Sequence, residues 1–221
     1  MLSIVATPIG NLEDITMRAL RILKEVDYIL CEDTRVTSRL LARYEIHKTL
    51  KRYDAHTSEH VHAAIIEDLE NGKHIALVSD AGTPGISDPG VMLIQQAREA
   101  GISMEVIPGP SAVTAAISLA GIAGNQFQFL GFAPQKKGRE TFFKSLATAS
   151  VPTVFFESTH RILKALESIG KVMPDTKIYV ARELTKMHEE LLTGTPEEIL
   201  KILGDEPVKQ KGEFVVIVDA R

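Results

Sequence analysis

Short runs of aliphatic and β-branched residues alternate along this chain with longer stretches of helical period, and each early run ends in a loop rich in Gly, Pro, Ser, Thr or Asp. This alternation builds parallel α/β sheets, because a strand returns beside its neighbour in the same direction only through a crossover, which a helix supplies. Leu2 to Thr7 reads as the first strand. Met17, Leu20, Leu23 and Val26 follow at three-residue steps as the apolar stripe of a helix that Asp14 or Thr16 can cap. Tyr28 to Cys31 is a second strand, His74 to Ser79 a third that follows a helix ending at the Asn71-Gly72 turn, and Met104 to Ile107 a fourth. Ligands of open α/β sheets bind beyond the carboxyl ends of the strands, so chemistry is expected in those loops.

From Phe127 the character changes. Phe127, Phe129 and Phe132 form an aromatic strand, expected in the core although an exposed ring can stack on a splayed base. The polar segment Pro134-Gln135-Lys136-Lys137-Gly138-Arg139 follows it. Runs at Thr153 to Phe156, Ile178 to Ala181 and Phe214 to Val218, with helices between them and a hairpin-like Leu192-Thr193-Gly194, indicate a second α/β unit. We place the boundary between residues 123 and 124, so that 1–123 carries the candidate ligand loops and 124–221 completes the cleft; the helix after Pro110 can belong to either unit.

Composition narrows the class. Hydrophobic residues make up 44% and charged residues 24% of the 221 positions, values of a chain that folds throughout. The single cysteine, Cys31, excludes a disulfide framework and a thiolate metal cage and fits a reducing compartment. The chain opens on a strand where a secretory signal needs a basic stretch and an apolar core, and charges interrupt every apolar run short of the roughly 20 residues of a membrane span. A cytoplasmic location with no membrane association is expected. The formal net charge of -4 argues against coating naked duplex nucleic acid and leaves room for a local basic patch.

The most informative stretch is Ser79-Asp80-Ala81-Gly82-Thr83-Pro84-Gly85-Ile86-Ser87-Asp88-Pro89-Gly90, between a buried strand and a helix. Its glycines let a ligand approach the main chain and its prolines stiffen the loop, which suits a rigid cradle for a small cofactor. The structural alternative is a turn in which Asp88 caps the next helix. Thr7-Pro8-Ile9-Gly10-Asn11 and Pro108-Gly109-Pro110-Ser111-Ala112 lie at equivalent strand ends. None of the three matches a Walker or dinucleotide fingerprint, so nucleotide phosphates are not the expected ligand. His56, His60 and His62 have no acidic or thiol partner at metal-binding spacing; they are expected on the solvent face of a helix, with no metal.

With Glu32-Asp33-Thr34-Arg35, Glu157-Ser158-Thr159-His160-Arg161 and Arg182-Glu183-Leu184-Thr185-Lys186, these loops occur in an order that resembles the small-subunit ribosomal RNA methyltransferase I family, a branch of the tetrapyrrole-methylase superfamily. The resemblance runs from Leu2 to about Asp219. It implies the two-domain tetrapyrrole-methylase α/β fold, an N-terminal parallel sheet with helices and a C-terminal mixed sheet, with S-adenosylmethionine between the domains. It also implies a homodimer that 2'-O-methylates a cytidine, number 1402 in bacterial numbering, in the decoding region of 16S rRNA in the small ribosomal subunit. Cofactor contacts then fall on Pro8, Gly10, Asn11, Asp80, Ala81, Gly82, Thr83, Pro84, Pro108, Gly109, Ser111 and Ala112. Two departures stand out: typical members continue into a small helical C-terminal domain whereas this chain stops at Arg221, and the segment from Tyr53 to Glu59 lacks the His-Asn-Glu wording common in the family.

A ribose hydroxyl attacks a sulfonium methyl in line, so positioning comes first and no metal is needed; a base or a nearby cation then helps. The catalytic candidates are Asp33, Glu157 and Lys186, with Glu183 and His160 also in reach of such a role. Each has a structural alternative: Asp33 can cap a helix and pair with Arg35, Glu157 can pair with Arg161, and Arg182, Glu183 and Lys186 can form a salt-bridged rim. Arg35, Lys136, Lys137, Arg139, His160, Arg161 and Arg182 are the candidate substrate contacts, with Lys164 beside them. Two rival readings share these residues: a precorrin or uroporphyrinogen methyltransferase, and a non-catalytic module that binds S-adenosylmethionine and RNA.

Overall fold

The structure, a computed structural model, describes residues 1–87, 90–122 and 125–219 and divides into two compact units, Met1–Ser111 and Ala112–Arg221. In the first, strands β1 (Leu2–Val5), β2 (Tyr28–Cys31), β3 (Thr49–Arg52), β4 (Ile75–Val78) and β5 (Met104–Ile107) form one parallel sheet in the order β3-β2-β4-β1-β5. Its helices are α1 (Met17–Glu25), α2 (Thr34–Arg43), α3 (Glu59–Glu70) and α4 (Val91–Glu99). Alternate side chains serve opposite faces. Val5, Ile29, Cys31, Ala76 and Val78 pack with residues of α1 and α2, whereas Leu2, Leu30, Ile75 and Leu77 pack with residues of α3 and α4. Burial on both faces is why β2 and β4 read as unbroken apolar runs. β3 escaped the sequence reading because Thr49-Leu50-Lys51-Arg52 is a mostly exposed edge strand with no hydrophobic alternation.

Two local expectations need correction in this unit. Of the expected stripe Leu23 and Val26 are buried and Leu20 packs against the same core, but Met17 is 89% exposed, because three-residue steps drift by about 60° each on a helix of 3.6-residue period, and Ala19 and Ile22 complete the buried face. Thr16 supplies the cap, accepting from the Ala19 N–H, while Asp14 ends a 3₁₀ turn just before it. His62, expected in solvent, is buried with its ring edge-on to Tyr53 at 5.1 Å. The Asp88 cap lies outside the described residues; the N-cap position of α4 is Gly90, with φ +135°.

The second unit contains β6 (Gln128–Phe132), β7 (Thr153–Ser158), β8 (Ile178–Arg182), β9 (Glu190–Gly194) and β10 (Glu213–Val218) in the order β6-β7-β10-β8-β9. β6 and β7 are parallel and the other pairs antiparallel, so the sheet is mixed. Helices α6 (Arg139–Leu146), α7 (Ile162–Val172) and α8 (Pro196–Asp205) enclose a core that includes Phe143, Phe155, Leu166 and Phe214. α8 starts on a full capping box, Thr195 with Glu198, followed by Pro196. Helix α5 (Ala112–Ala120) packs on β8 and β10, so the compact units divide after Ser111; the boundary expected between residues 123 and 124 lies outside the described residues. The hairpin-like Leu192-Thr193-Gly194 is the end of strand β9.

The aromatic strand is not core. Phe127 and Phe132 are 42% and 54% exposed and Phe129 is half-buried. A bulge between Phe129 and Phe132, with Gly131 at φ +66°, adds one residue to β6, so Phe129 and Phe132, three apart in sequence, share a face with Val154 and Phe156.

Candidate functional site

Because every strand of the first sheet runs the same way, the loops after β1, β2, β4 and β5 leave one edge. β1 lies between β4 and β5, and β2 lies beyond β4, so all four loop starts are within a few strand widths of each other. Main-chain bonds stitch them. The Thr7 N–H donates to the Gly82 carbonyl at 2.9 Å and the Gly82 N–H returns a bond to the Thr7 carbonyl at 3.0 Å. The Thr7 hydroxyl donates to the Ser79 carbonyl and the Ser79 hydroxyl to the Gly82 carbonyl, each at 2.9 Å. Gly82 holds φ +83°, a conformation open to glycine and strained for other residues. On the far side of β1, a Cβ on Gly109 would sit 2.9 Å from the Ala6 Cβ, so this loop lies directly against the β1 end.

Asp80 extends the stitching to β2. Its Oδ1 accepts the Asp33 N–H at 3.0 Å. Asp33 in turn N-caps α2 through the Arg35 N–H and grips the Arg35 guanidinium at 2.6 Å. Those bonds to Arg35 hold the Asp33 carboxyl well below the usual carboxylate range. It is a weak proton acceptor. Around this edge Thr7, Pro8, Gly82 and Pro84 are buried, whereas Gly10, Asn11, Ala81, Pro108 and Gly109 are exposed and Asp80, Thr83, Ser111 and Ala112 are half-exposed. Buried members fix the loop; Asn11, although exposed, caps the following 3₁₀ turn by accepting the Glu13 N–H at 3.1 Å.

The other candidates gather at one edge of the second sheet. β6, β7 and β8 all run antiparallel to β10 or parallel to a strand that does, so their carboxyl ends and the start of β10 share that edge. Glu157 is fully buried there between two guanidiniums, Arg161 at 2.9 Å and Arg139 at 3.1 Å, and also accepts the Ser158 N–H. Arg139 donates onward to the Pro134 carbonyl and Arg161 to the Ala133 carbonyl. The cluster is a clamp on the loop after β6. Both arginines are mostly withdrawn from solvent, whereas Lys136, Lys137 and His160 are exposed.

Arg182, expected at the substrate, is 6% exposed, and its guanidinium donates to the carbonyls of Lys211, His188 and Val208. It holds main chain in place. Arg35 is 84% exposed at its side chain and open to solvent. Lys186 lies 2.9 Å from Glu183 and 3.0 Å from Glu213. Partial burial would lower the Lys186 ammonium, but bonds to Glu183 and Glu213 outweigh it and raise its pKa. Burial would likewise raise Glu183, and the Lys186 and Glu213 N–H bonds bring it below its ordinary value instead. Lys186 is held as a cation.

Sequence reading missed Gly212 and Glu213, whose partners lie far along the chain. Thr159 exchanges hydrogen bonds with Gly212 at 2.7 and 3.0 Å, and a Cβ on Gly212 would come within 2.6 Å of the Glu183 side chain. Gly212 therefore joins the Glu157–Arg161 and Arg182–Lys186 segments. Glu183 and Thr185 hold φ +50° and +64°, strain concentrated in the segment that carries Lys186. Among the described residues no group of histidine, cysteine or carboxylate side chains is arranged to hold a metal, and no helix is long and apolar enough to cross a membrane.

Residues 1–200 match the family model described as Tetrapyrrole (Corrin/Porphyrin) Methylases. The chain belongs to this family. A solved diphthine synthase shares the fold of this chain, superposing with a TM-score of 0.75 over 98% of this chain and 89% of its own at 18% identity. Within the tetrapyrrole methylases, the chain is 44% identical over 220 residues to the ribosomal RNA small subunit methyltransferase I of Thermotoga maritima, covering 100% of this chain and 98% of that relative. The protein of the same name from Pasteurella multocida is 44% identical over 223 residues, covering 79% of its length. This tetrapyrrole-methylase family member is a methyltransferase.

Removing Glu157 leaves two poorly hydrated guanidiniums without their shared counterion, so Glu157→Ala should cost about 3 kcal/mol or more in urea unfolding and expose the 133–138 loop to protease. The Glu183–Lys186 pair predicts a pH signature. The depressed Glu183 pKa gives stability that is full above the unfolded carboxyl value of about 4.3 and is lost as pH falls through the folded value. The raised Lys186 pKa gives stability that is full below about 10.4 and is lost as pH rises through the folded value. The unfolding free-energy difference between the parent and Lys186→Met should be flat between about pH 5 and 10 and shrink on either side; a difference that does not vary with pH would contradict the assignment.

Proposed function

We propose that this chain is an S-adenosylmethionine-dependent 2'-O-methyltransferase acting on a cytidine in the decoding region of 16S rRNA in the small ribosomal subunit. The observation that carries the reading is the 44% identity, across the whole chain and 98% of the relative, to a protein named ribosomal RNA small subunit methyltransferase I. A homodimer in the cytoplasm accompanies the reading.

The strand-end loops of the first sheet fit the cofactor. Exposed Gly10, Ala81 and Gly109, with half-exposed Thr83, bring hydrogen-bonding groups to a polar ligand, and the Asp80 carboxylate suits a cation. S-adenosylmethionine, when bound, supplies an electrophilic methyl group on a sulfonium. The chain's own part is positioning. Asp33 is weakened as a base by Arg35, Glu157 spends its oxygens on Arg139, Arg161 and Ser158, and Lys186 stays protonated. Alignment of the ribose hydroxyl, with Lys186 as a cation that favours the developing alkoxide, is the catalysis this residue set supports.

Lys136 and Lys137, borne on the clamped loop, are assigned to RNA phosphates, and Arg139 and Arg161 to holding that loop. A net charge of -4 gives little general attraction for free RNA, so a few fixed contacts suit one folded RNA surface. Labelled S-adenosylmethionine should mark ribose in small subunits lacking the methyl group, with far poorer turnover on a short oligonucleotide. Label entering a tetrapyrrole and not rRNA would overturn the reading, and equal turnover on both RNAs would overturn the substrate form.

A further inference from the structure

Phe132 is the last residue of β6, and more than half of its surface meets solvent. A phenyl ring left this open forgoes much of the stabilisation that its burial would contribute, and the local geometry holds it there. The extra residue at Gly131 turns Phe132 onto the face of Phe129 and Phe156. Its ring meets the Phe156 ring edge-on at 5.3 Å, and Phe129 braces the same ring at 4.8 Å. The backbone beyond is pinned: the Ala133 N–H donates to the Phe156 carbonyl and the Ala133 carbonyl accepts from Arg161. Three residues further on, the clamped loop presents Lys136 and Lys137.

A fixed, open aromatic ring followed by exposed ammonium groups is the combination that single-stranded nucleic acid requires, a surface for a base and charge for the adjoining phosphates. A second copy of the chain suits the place less well. β6 is an edge strand, and the bulge between Phe129 and Phe132 interrupts the ladder on which edge-to-edge pairing depends. We propose that Phe132 is a stacking platform for an unpaired base of the RNA substrate, with Lys136 and Lys137 taking the neighbouring phosphates. The assignment rests on the rRNA reading above and adds a positioning residue to it.

The chain contains no tryptophan, so Phe132→Trp places one fluorescent reporter at the platform and Met17→Trp, at an exposed residue of the first unit, serves as control. A folded decoding-region fragment of 16S rRNA should quench the emission of Phe132→Trp and leave that of Met17→Trp unchanged, with binding followed independently by anisotropy of labelled RNA. In methyl transfer to small subunits, Phe132→Ala should raise KM about tenfold at nearly unchanged kcat, the size expected for one lost stack, while Phe132→Trp keeps the parent KM. RNA that binds without quenching Phe132→Trp, or RNA that does not bind, overturns the proposal. So does a Phe132→Ala protein that loses self-association in light scattering and keeps its KM, which would assign the face to a second copy. If the parent methylates no rRNA the functional reading fails, and the quenching experiment still decides whether a base stacks at Phe132.

Discussion

Two backbone hydrogen bonds between Thr7 and Gly82 organise the candidate cofactor edge. They join the loops after neighbouring strands β1 and β4, and the other contacts build outward from them. Ser79 and Thr7 spend their hydroxyls inside the same knot, Gly109 closes on Ala6 from the β5 side, and Asp80 reaches across to Asp33 at the β2 end. Bonds of this kind satisfy buried polar groups, while Gly10, Ala81 and Gly109 beside them stay exposed. A rigid rim flanked by exposed residues follows from the parallel sheet and from glycine at a positive φ.

The second unit reaches rigidity by charge. Glu157 carries its carboxylate into full burial, which is tolerable because two guanidiniums and one N–H surround it. The bonds that pay for that burial are also the ones that fix the Ala133–Gly138 loop, so a residue that looks like a base acts on architecture. Arg182 repeats the pattern with three carbonyls, and Glu183, Lys186 and Glu213 form a third ionic group at the same sheet edge. Positioning, more than proton transfer, is what these groups share.

Much of this was legible in the chain alone, for local reasons. β2 and β4 are buried on both faces and read as apolar runs, and the Gly and Pro punctuation after β1, β4 and β5 marked the loops that the sheet then brings to one edge. The Asp33–Arg35 pair and the Glu157–Arg161 pair were visible because their partners are two and four residues apart. What was hidden depends on distant partners or on backbone geometry. Arg139 joins Glu157 across eighteen positions, and Arg182 finds carbonyls of three later residues. The exposure of Phe132 turns on one extra residue at Gly131, which shifts alternation by a full face. β3 carries no burial pattern because it is an edge.

The central claim, that the carboxyl edge of the first sheet holds the cofactor, is tested most directly by amide hydrogen exchange with and without S-adenosylmethionine. Exchange should slow in the loops at 7–11, 80–85 and 108–112, and stay unchanged in the turns at 71–74 and 100–103, which lie at the opposite edge of the same strands. Equal slowing at both edges, or none in the three loops under saturating cofactor, would contradict it.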